Sequence, residues 1–182
     1  KKNVDEYIVE RKKETSYSIP TVLADLNFED NWTIDCDINW LSGIDNNSYG
    51  LVWGKEKGSY FTFQLAANGF YRFDKYIDWS FNELIKWKES PYIKKWDSNN
   101  LKIKKVNREY SFYINDNWVD TFESEPFSGK YFGFKVTSNQ KISFRNFKFC
   151  KLVENEIYGE GIKITSRNFS SIKNLSTLYL CL

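Results

Sequence analysis

Residues 48–73, SYGLVWGKEKGSYFTFQLAANGFYRF, decide the fold of this chain, because they predict three consecutive antiparallel strands joined by two turns. On the middle strand large apolar residues alternate with polar ones, as expected for a strand with two different faces. The two sets are Phe61, Phe63 and Leu65 on the apolar face, and Tyr60, Thr62 and Gln64 on the face predicted to meet solvent.

The loop after the middle strand fixes how the strands pair. A two-residue turn at Asn68-Gly69 would set Arg72 opposite Leu65 and mix apolar with polar side chains. A three-residue loop, residues 67–69, sets Leu65 opposite Tyr71 and keeps the apolar residues together, with glycine at the left-handed position. We therefore predict the longer loop.

The composition favours β structure throughout. Of 182 residues 19% are aromatic, and only 3 are proline and 9 glycine. The length predicts one domain with extensions. We expect a charged lead-in or linker with a short edge strand (residues 1–20), a β-sandwich domain (21–152) and a C-terminal extension (153–182).

The net charge and the absence of His and Met limit the classes of function that the sequence supports. The net charge of +2 gives no electrostatic case for nucleic acid, and no apolar run approaches the ~20 residues that span a bilayer. The chain has no His, the commonest general base and metal ligand, so we expect neither a metal nor a cofactor. It also has no Met, so we expect a processed product or a fragment, and the compartment stays open.

Three cysteines, Cys36, Cys150 and Cys181, are an odd number set far apart. This spacing predicts neither a zinc site nor a disulfide framework. Cys36 falls on the apolar face of its strand, so we interpret it as a small buried hydrophobic residue.

Other segments repeat the strand pattern. Residues 32–40 alternate between apolar and polar side chains without a break, and residues 83–88 predict a further strand. Residues 140–149 change phase at Arg145-Asn146, which indicates a β-bulge. Residues 101–122 predict a meander with two-residue turns that pairs Ile103 with Phe112, Leu101 with Ile114, and Ile114 with Val119. About ten such strands indicate an all-β antiparallel β-sandwich or barrel.

The segments SYGLVWG, FTFQLAANGFYRF, NNLKIKKVNREYSFYINDNWV and GFKVTSNQKISFRNFKF together resemble the bacterial concanavalin A-like lectin/glucanase jelly rolls. The laminin-G-like and 3-keto-disaccharide-hydrolase-like groups are the most similar, and the resemblance covers about residues 26–152. It implies a jelly-roll β-sandwich of a kind that often forms non-catalytic sugar-binding or protein-binding modules. The carboxylate-bearing E-x-D-x-(x)-E strand of the laminarinase-type hydrolases is absent from this sequence.

Two acidic residues are candidates for chemistry. Asp35 and Asp37 project from the same face of one strand, about 6.5–7 Å apart by strand rise, which overlaps the range of inverting glycosidases. Their alternation with apolar residues equally fits an ordinary solvated strand face. We therefore list both as candidate ligand-binding residues and predict no catalytic residue.

A sugar site needs flat aromatic rings and planar polar groups. The outward face of the hairpin and its neighbours offers both, and we predict a binding platform made of Tyr60, Gln64, Arg72 and Tyr113. Cross-strand tyrosines and threonines on an exposed sheet can also serve stability alone.

Seven tryptophans divide into two groups. Trp32, Trp40 and Trp53 occupy predicted core positions. The others lie in irregular stretches, where most should cover the ends of the core and one should be exposed: Trp79, Trp87, Trp96 and Trp118.

The sequence thus predicts a non-catalytic module that binds carbohydrate through the outer face of one sheet. The alternative is a protein-interaction or structural appendage domain of a larger bacterial protein. A further alternative is a glycoside hydrolase that uses Asp35 and Asp37.

Overall fold

The computed structural model describes residues 6–12, 17–23, 30–123, 127, 129–152 and 179–181, which form two stacked sheets. The strand order of sheet 1 is β1-β13-β4-β9-β10-β11, and β14 pairs in parallel with β13. The strands of sheet 1 are β1 (Glu6–Arg11), β4 (Asn31–Gly43), β9 (Ser98–Val106), β10 (Glu109–Ile114), β11 (Asn117–Glu123), β13 (Gln140–Leu152) and β14 (Tyr179–Cys181).

The strand order of sheet 2 is β2-β12-β5-β6-β7-β8, and β3 also pairs with β12. Every pairing within it is antiparallel. Its strands are β2 (Tyr17–Ser18), β3 (Thr21–Leu23), β5 (Ser48–Glu56), β6 (Ser59–Ala66), β7 (Phe70–Ile77), β8 (Ser80–Glu89) and β12 (Tyr131–Thr137). The predicted antiparallel β-sandwich is confirmed.

The core lies between the sheets and is built largely from aromatic rings. Phe63 and Phe73 of sheet 2 contact Phe112 of sheet 1, with ring centroids 4.7 and 4.8 Å apart. On β4 the buried positions alternate as predicted, and Trp32 at its start is fully buried. Because each strand contributes every second side chain, the remaining side chains form an outer face on each sheet.

The hairpin of β6 and β7 has the predicted three-residue loop. Leu65 lies opposite Tyr71, and Gly69 has a φ of 108°. The Gly69 N–H donates a hydrogen bond to the Ala66 carbonyl at 3.0 Å. Glycine adopts this φ without steric cost, so the loop closes in the register that buries the apolar set.

The meander of β9, β10 and β11 agrees with the sequence in its first hairpin, where Ile103 pairs with Phe112 and Leu101 with Ile114. In the second hairpin Ile114 faces Asn117, so the predicted pairing with Val119 is wrong. The turn residues are Asn115 and Asp116, both with positive φ, and the strand register then shifts by a bulge. Asparagine and aspartate tolerate this conformation, which moves the turn back by one residue.

Two further strand predictions are confirmed. The ladder between β13 and β4 is interrupted after Arg145, and Asn146 has a φ of 50°, as expected for a bulge. The strand predicted near residues 83–88 is β8.

The ends of the chain add strands to the sheets. The predicted edge strand in the lead-in is β1, which pairs with β13, and β2 pairs with β12. Residues 153–178 of the predicted C-terminal extension lie outside the described residues. The proposed division into lead-in, domain and extension stays a prediction.

The cysteines require one correction. Cys150 is disulfide-bonded, so the cysteine spacing, which predicted no disulfide framework, was misleading for this residue. The parallel pairing of β14 with β13 sets the backbone of Cys181 beside that of Cys150, although the two are distant in sequence. Cys36 is buried and free, as predicted, and burial raises the pKa of its thiol well above its usual range.

Candidate functional site on the outer face of sheet 2

The structure separates the predicted platform into two parts. Tyr60, Gln64 and Arg72 lie together on the outer face of sheet 2, on the neighbouring strands β6 and β7. Tyr113 lies on β10 of sheet 1, at a position that alternates with core residues. It therefore projects from the opposite side of the sandwich and cannot share one platform with the other three.

The outer face of sheet 2 is more closed than the sequence suggests. Tyr60, Thr62 and Gln64 were expected to meet solvent, yet they are only 2%, 0% and 0% exposed. Strand alternation decides which way a side chain points, but long side chains on neighbouring strands can still cover it. The polar groups of this face are thus withdrawn from bulk water.

A row of positions crosses the middle of this face. Lys135 on β12 lies opposite Gly50 on β5, which lies opposite Gln64 on β6, which lies opposite Arg72 on β7. Gly50 places no side chain between Lys135 and Gln64. A methyl group there would lie 2.1 Å from the carbonyl oxygen of Phe63, so the backbone at this point admits only glycine.

Asp74 is the centre of the polar contacts. Its Oδ2 accepts a hydrogen bond from Gln64 Nε2 at 2.5 Å and lies 2.9 Å from Arg72 Nε. The Arg72 N–H is not aimed along that short distance, so the pair is an ion pair without a well-formed hydrogen bond. The carboxylate is fully buried.

Burial shifts the ionisation of the two most enclosed charged groups. It raises the pKa of Asp74 to about 6, although Arg72 and Lys135 oppose that change. Burial lowers the pKa of Lys135 to about 8, and the Arg72 charge lowers it further. Both shifts have the same cause, because a buried group loses the hydration of its charged form.

Aromatic rings surround both cations. The Arg72 guanidinium carbon lies 5.3 Å from the ring centroid of Phe81 and 4.8 Å from that of Trp87. The Lys135 ammonium donates a hydrogen bond to the Tyr76 hydroxyl at 3.1 Å and lies 4.5 Å from the centroid of the same ring. Cation–π contacts of this kind stabilise a charge that has lost part of its water.

Several buried polar atoms of this face have no hydrogen-bonding partner within the described part of the chain. They are the Thr62 hydroxyl, Gln64 Oε1, Arg72 Nε and Asp74 Oδ1. Buried polar groups in folded proteins are nearly always paired, so a cluster of unpaired ones on one sheet face needs an explanation. A polar ligand on this face would reach these atoms only if the side chains that cover them moved aside.

The predicted acidic residues on sheet 1 are in a different situation. Asn100 Nδ2 donates to Asp35 Oδ1 at 2.7 Å and to Asp37 Oδ1 at 2.9 Å. Asn146 donates to the other oxygen of Asp37 at 2.7 Å, and Lys102 lies 3.5 Å from Asp35. Neighbouring side chains of the same sheet therefore satisfy these carboxylates, as expected for a stabilising polar face.

The tryptophans also differ from the prediction. Trp32 and Trp53 are buried, and Trp40 packs against the core, as predicted. The four tryptophans outside the core are all exposed rather than one of them: Trp79, Trp87, Trp96 and Trp118. They project beyond the apolar interior, so they do not cover its ends. Of these four, Trp87 belongs to the candidate site through its contact with Arg72.

The sequence reasoning missed four residues of this site: Asp74, Tyr76, Phe81 and Lys135. Alternation on β7 could have identified Asp74 and Tyr76, since they follow Arg72 on the same face. The other two needed tertiary information, because no local pattern shows which strands flank β5 and β7.

Two general features bear on function. The described residues contain no helix long and apolar enough to cross a membrane. They also contain no group of three or more Cys, Asp or Glu side chains placed to hold a metal ion.

Comparison with known proteins places the fold. No protein-family model matches the chain, and no curated protein matches it. Among solved structures, the carbohydrate-binding module CBM66 from Bacillus subtilis is similar over 76% of this chain and 97% of its own, with a TM-score of 0.58 and 17% identity. Sheep galectin-11 is similar over 75% of this chain and 98% of its own, with a TM-score of 0.52 and 13% identity.

An enzyme shares the same architecture. Bacillus licheniformis β-glucanase is similar over 72% of this chain and 67% of its own, with a TM-score of 0.52 and 6% identity. Identities this low concern the fold alone. The chain therefore has the concanavalin A-like lectin/glucanase jelly-roll fold, which sugar-binding proteins and hydrolases both use.

Proposed function

We propose that this protein is a non-catalytic carbohydrate-binding module and that the sugar binds on the outer face of sheet 2. The observation that supports this most strongly is the polar cluster of Thr62, Gln64 and Asp74, which keeps atoms without hydrogen-bond partners among the described residues and adjoins the partly exposed Arg72 and Trp87. Amide, carboxylate and guanidinium groups are the partners that sugar hydroxyls need. The solved structures of similar fold include a carbohydrate-binding module and a galectin, which agrees with this proposal.

Aromatic rings beside the polar cluster complete the site. Trp87 and Phe81 contact Arg72, and Trp87 remains 37% exposed. A partly exposed ring can pack against the C–H face of a sugar while the polar groups bind its hydroxyls. The same combination is common in small-molecule sites, where apolar surface gives affinity and a few polar groups fix the orientation of the ligand.

The proposal assigns no reaction to the site on sheet 1. Amide donors bind one oxygen of Asp35 and both oxygens of Asp37, so neither carboxylate is in the apolar surroundings that a catalytic acid needs. Glycoside hydrolysis by these two residues is therefore not the function we propose.

A glycan array followed by calorimetry tests the proposal. Trp87→Ala should weaken binding of any glycan found at least about tenfold, as expected for loss of an anchoring ring. Trp118→Ala is the matched control, because Trp118 is 57% exposed on β11 of sheet 1. Equal losses in both variants, or no bound glycan at all, would refute the site; release of free sugar from a bound glycan would refute the non-catalytic assignment.

A protein-interaction domain is the second candidate. The exposed rings of Trp79, Trp96 and Trp118 favour it, since large exposed aromatic residues are enriched at protein interfaces. Trp96 is also held in place by a hydrogen bond from its Nε1 to Asp45 at 3.1 Å. This candidate gains support if the array shows no glycan while crosslinking captures a single partner whose binding is lost in Trp96→Ala.

A further inference from the structure

Arg72 presents its guanidinium group as a fixed donor edge. The Phe81 and Trp87 rings contact the group, and Asp74 lies 2.9 Å from its Nε. Within the described residues, neither terminal nitrogen of Arg72 donates a hydrogen bond. A guanidinium whose orientation is set while its terminal nitrogens stay available matches the two oxygens of a carboxylate.

The charges of this face are unevenly balanced. The charged groups that act on Asp74 are Arg72, Lys135 and Glu83, and the effect of Glu83 is the smallest of the three. Asp74 and Lys135 are buried and Arg72 is largely so, whereas Glu83 is exposed. In the enclosed part of the face two cations therefore share one carboxylate.

Binding of a neutral ligand would make this excess of positive charge more costly. Covering the face removes the remaining water from Arg72, and a neutral ligand offers no opposite charge in return. A ligand carboxylate would supply that charge and would form charge-assisted hydrogen bonds with the free Arg72 nitrogens.

We propose that the saccharide bound on the outer face of sheet 2 carries a carboxylate, which Arg72 binds through its terminal nitrogens while Lys135 adds a second positive charge. The ligand class is then an acidic saccharide of the uronic-acid type. This inference rests on the proposed function, and it adds a preference that the proposed function alone does not require.

Matched ligands test the charge directly. Oligouronates are compared with their methyl esters, which keep the sugar ring and remove the charge, by calorimetry at neutral pH. We expect an acid to bind at least about tenfold more tightly than its ester. Its affinity should fall between about 0.05 M and about 0.5 M NaCl, while that of the ester changes little.

Two variants test whether Arg72 causes the preference for the acid over its ester. Arg72→Gln should bring the affinities for acid and ester together, with the fold checked by circular dichroism and melting temperature. Arg108→Gln is the control, because Arg108 lies in the turn between β9 and β10 of sheet 1 and should keep the preference.

The outcomes separate the two proposals. If esters or neutral glycans bind as tightly as acids, the acidic-ligand inference is wrong while the carbohydrate-binding proposal stands. If Arg72→Gln keeps the preference, the assignment to Arg72 is wrong. If neither acidic nor neutral saccharides bind, or only a poly-glutamate peptide binds, the carbohydrate-binding proposal itself fails.

Discussion

The outer faces of both sheets carry acidic, basic and amide side chains, but the carboxylates are paired differently on the two faces. On sheet 1, Asp35 and Asp37 share the amide of Asn100, and Lys102 lies near Asp35. On sheet 2, Asp74 contacts Gln64 and Arg72, yet Gln64 Oε1 and Asp74 Oδ1 are buried without hydrogen-bond partners among the described residues. Asn100 Oδ1 on sheet 1 also lacks a partner among the described residues, but more such atoms lie together on sheet 2, namely the Thr62 hydroxyl, Gln64 Oε1 and Asp74 Oδ1.

This difference is the basis for proposing that sheet 1 carries a stabilising face and sheet 2 a binding face. A polar network whose members satisfy one another gains little from a ligand, because the ligand would have to replace existing bonds. A buried network with open positions carries a cost in the free protein that a ligand can remove. The comparison predicts that substitutions on sheet 2 change stability strongly and that equivalent substitutions on sheet 1 do not.

The largest effect should come from the ionisation of Asp74. Its pKa in the folded protein is about 6, above the ordinary value of 3.8, so the folded state holds the proton more tightly than the unfolded state. The stability given by the protonated form is therefore lost as the pH rises from about 4 to about 6. By linkage this loss reaches up to about 3 kcal/mol.

Urea unfolding of the wild type and of Asp74→Asn, at about pH 4 and about pH 7.5, measures this effect. Asparagine stays neutral, so the wild type should lose up to about 3 kcal/mol relative to the variant over this interval. A stability difference that stays constant with pH would show that Asp74 titrates normally and that this part of sheet 2 is not enclosed.

A smaller effect should follow removal of the Tyr76 hydroxyl. That oxygen accepts the hydrogen bond of the buried Lys135 ammonium at 3.1 Å, so Tyr76→Phe should cost about 1–2 kcal/mol in the free energy of unfolding. Tyr113→Phe on sheet 1 is the matched change and should stay within about 0.5 kcal/mol. Similar costs for both variants in urea unfolding would contradict the contrast between the faces.

The smallest effect is expected for Asp35→Asn on sheet 1. Asparagine can still accept the hydrogen bond from Asn100, and only the 3.5 Å contact with Lys102 loses its charge. Partly exposed ion pairs contribute little, so the urea midpoint should correspond to a change below about 0.5 kcal/mol. A loss above about 1 kcal/mol would mean that sheet 1 also depends on an enclosed charge network.

Much of the fold could be predicted because its signals are local. The loop of residues 67–69 and the pairing of Leu65 with Tyr71 followed from which side chains would share a face. The turn of the second hairpin of the meander was predicted one residue too late. Asn115 and Asp116 adopt a positive-φ turn conformation that the alternation of apolar residues does not reveal. The candidate site was predicted in part: Tyr60, Gln64 and Arg72 lie together, whereas Tyr113, Asp35 and Asp37 lie on the other sheet.

The sequence by itself determined most of the strands and turns and the alternation of side chains between the two faces of a strand, because alternation is a property of the extended backbone. Only the tertiary structure decided which strands lie side by side. That order brings Lys135 to the same face as Gln64 and Arg72, and sets Cys181 beside Cys150. It also decided that Gln64 and Asp74 are buried, since burial depends on side chains contributed by neighbouring strands that are distant in sequence.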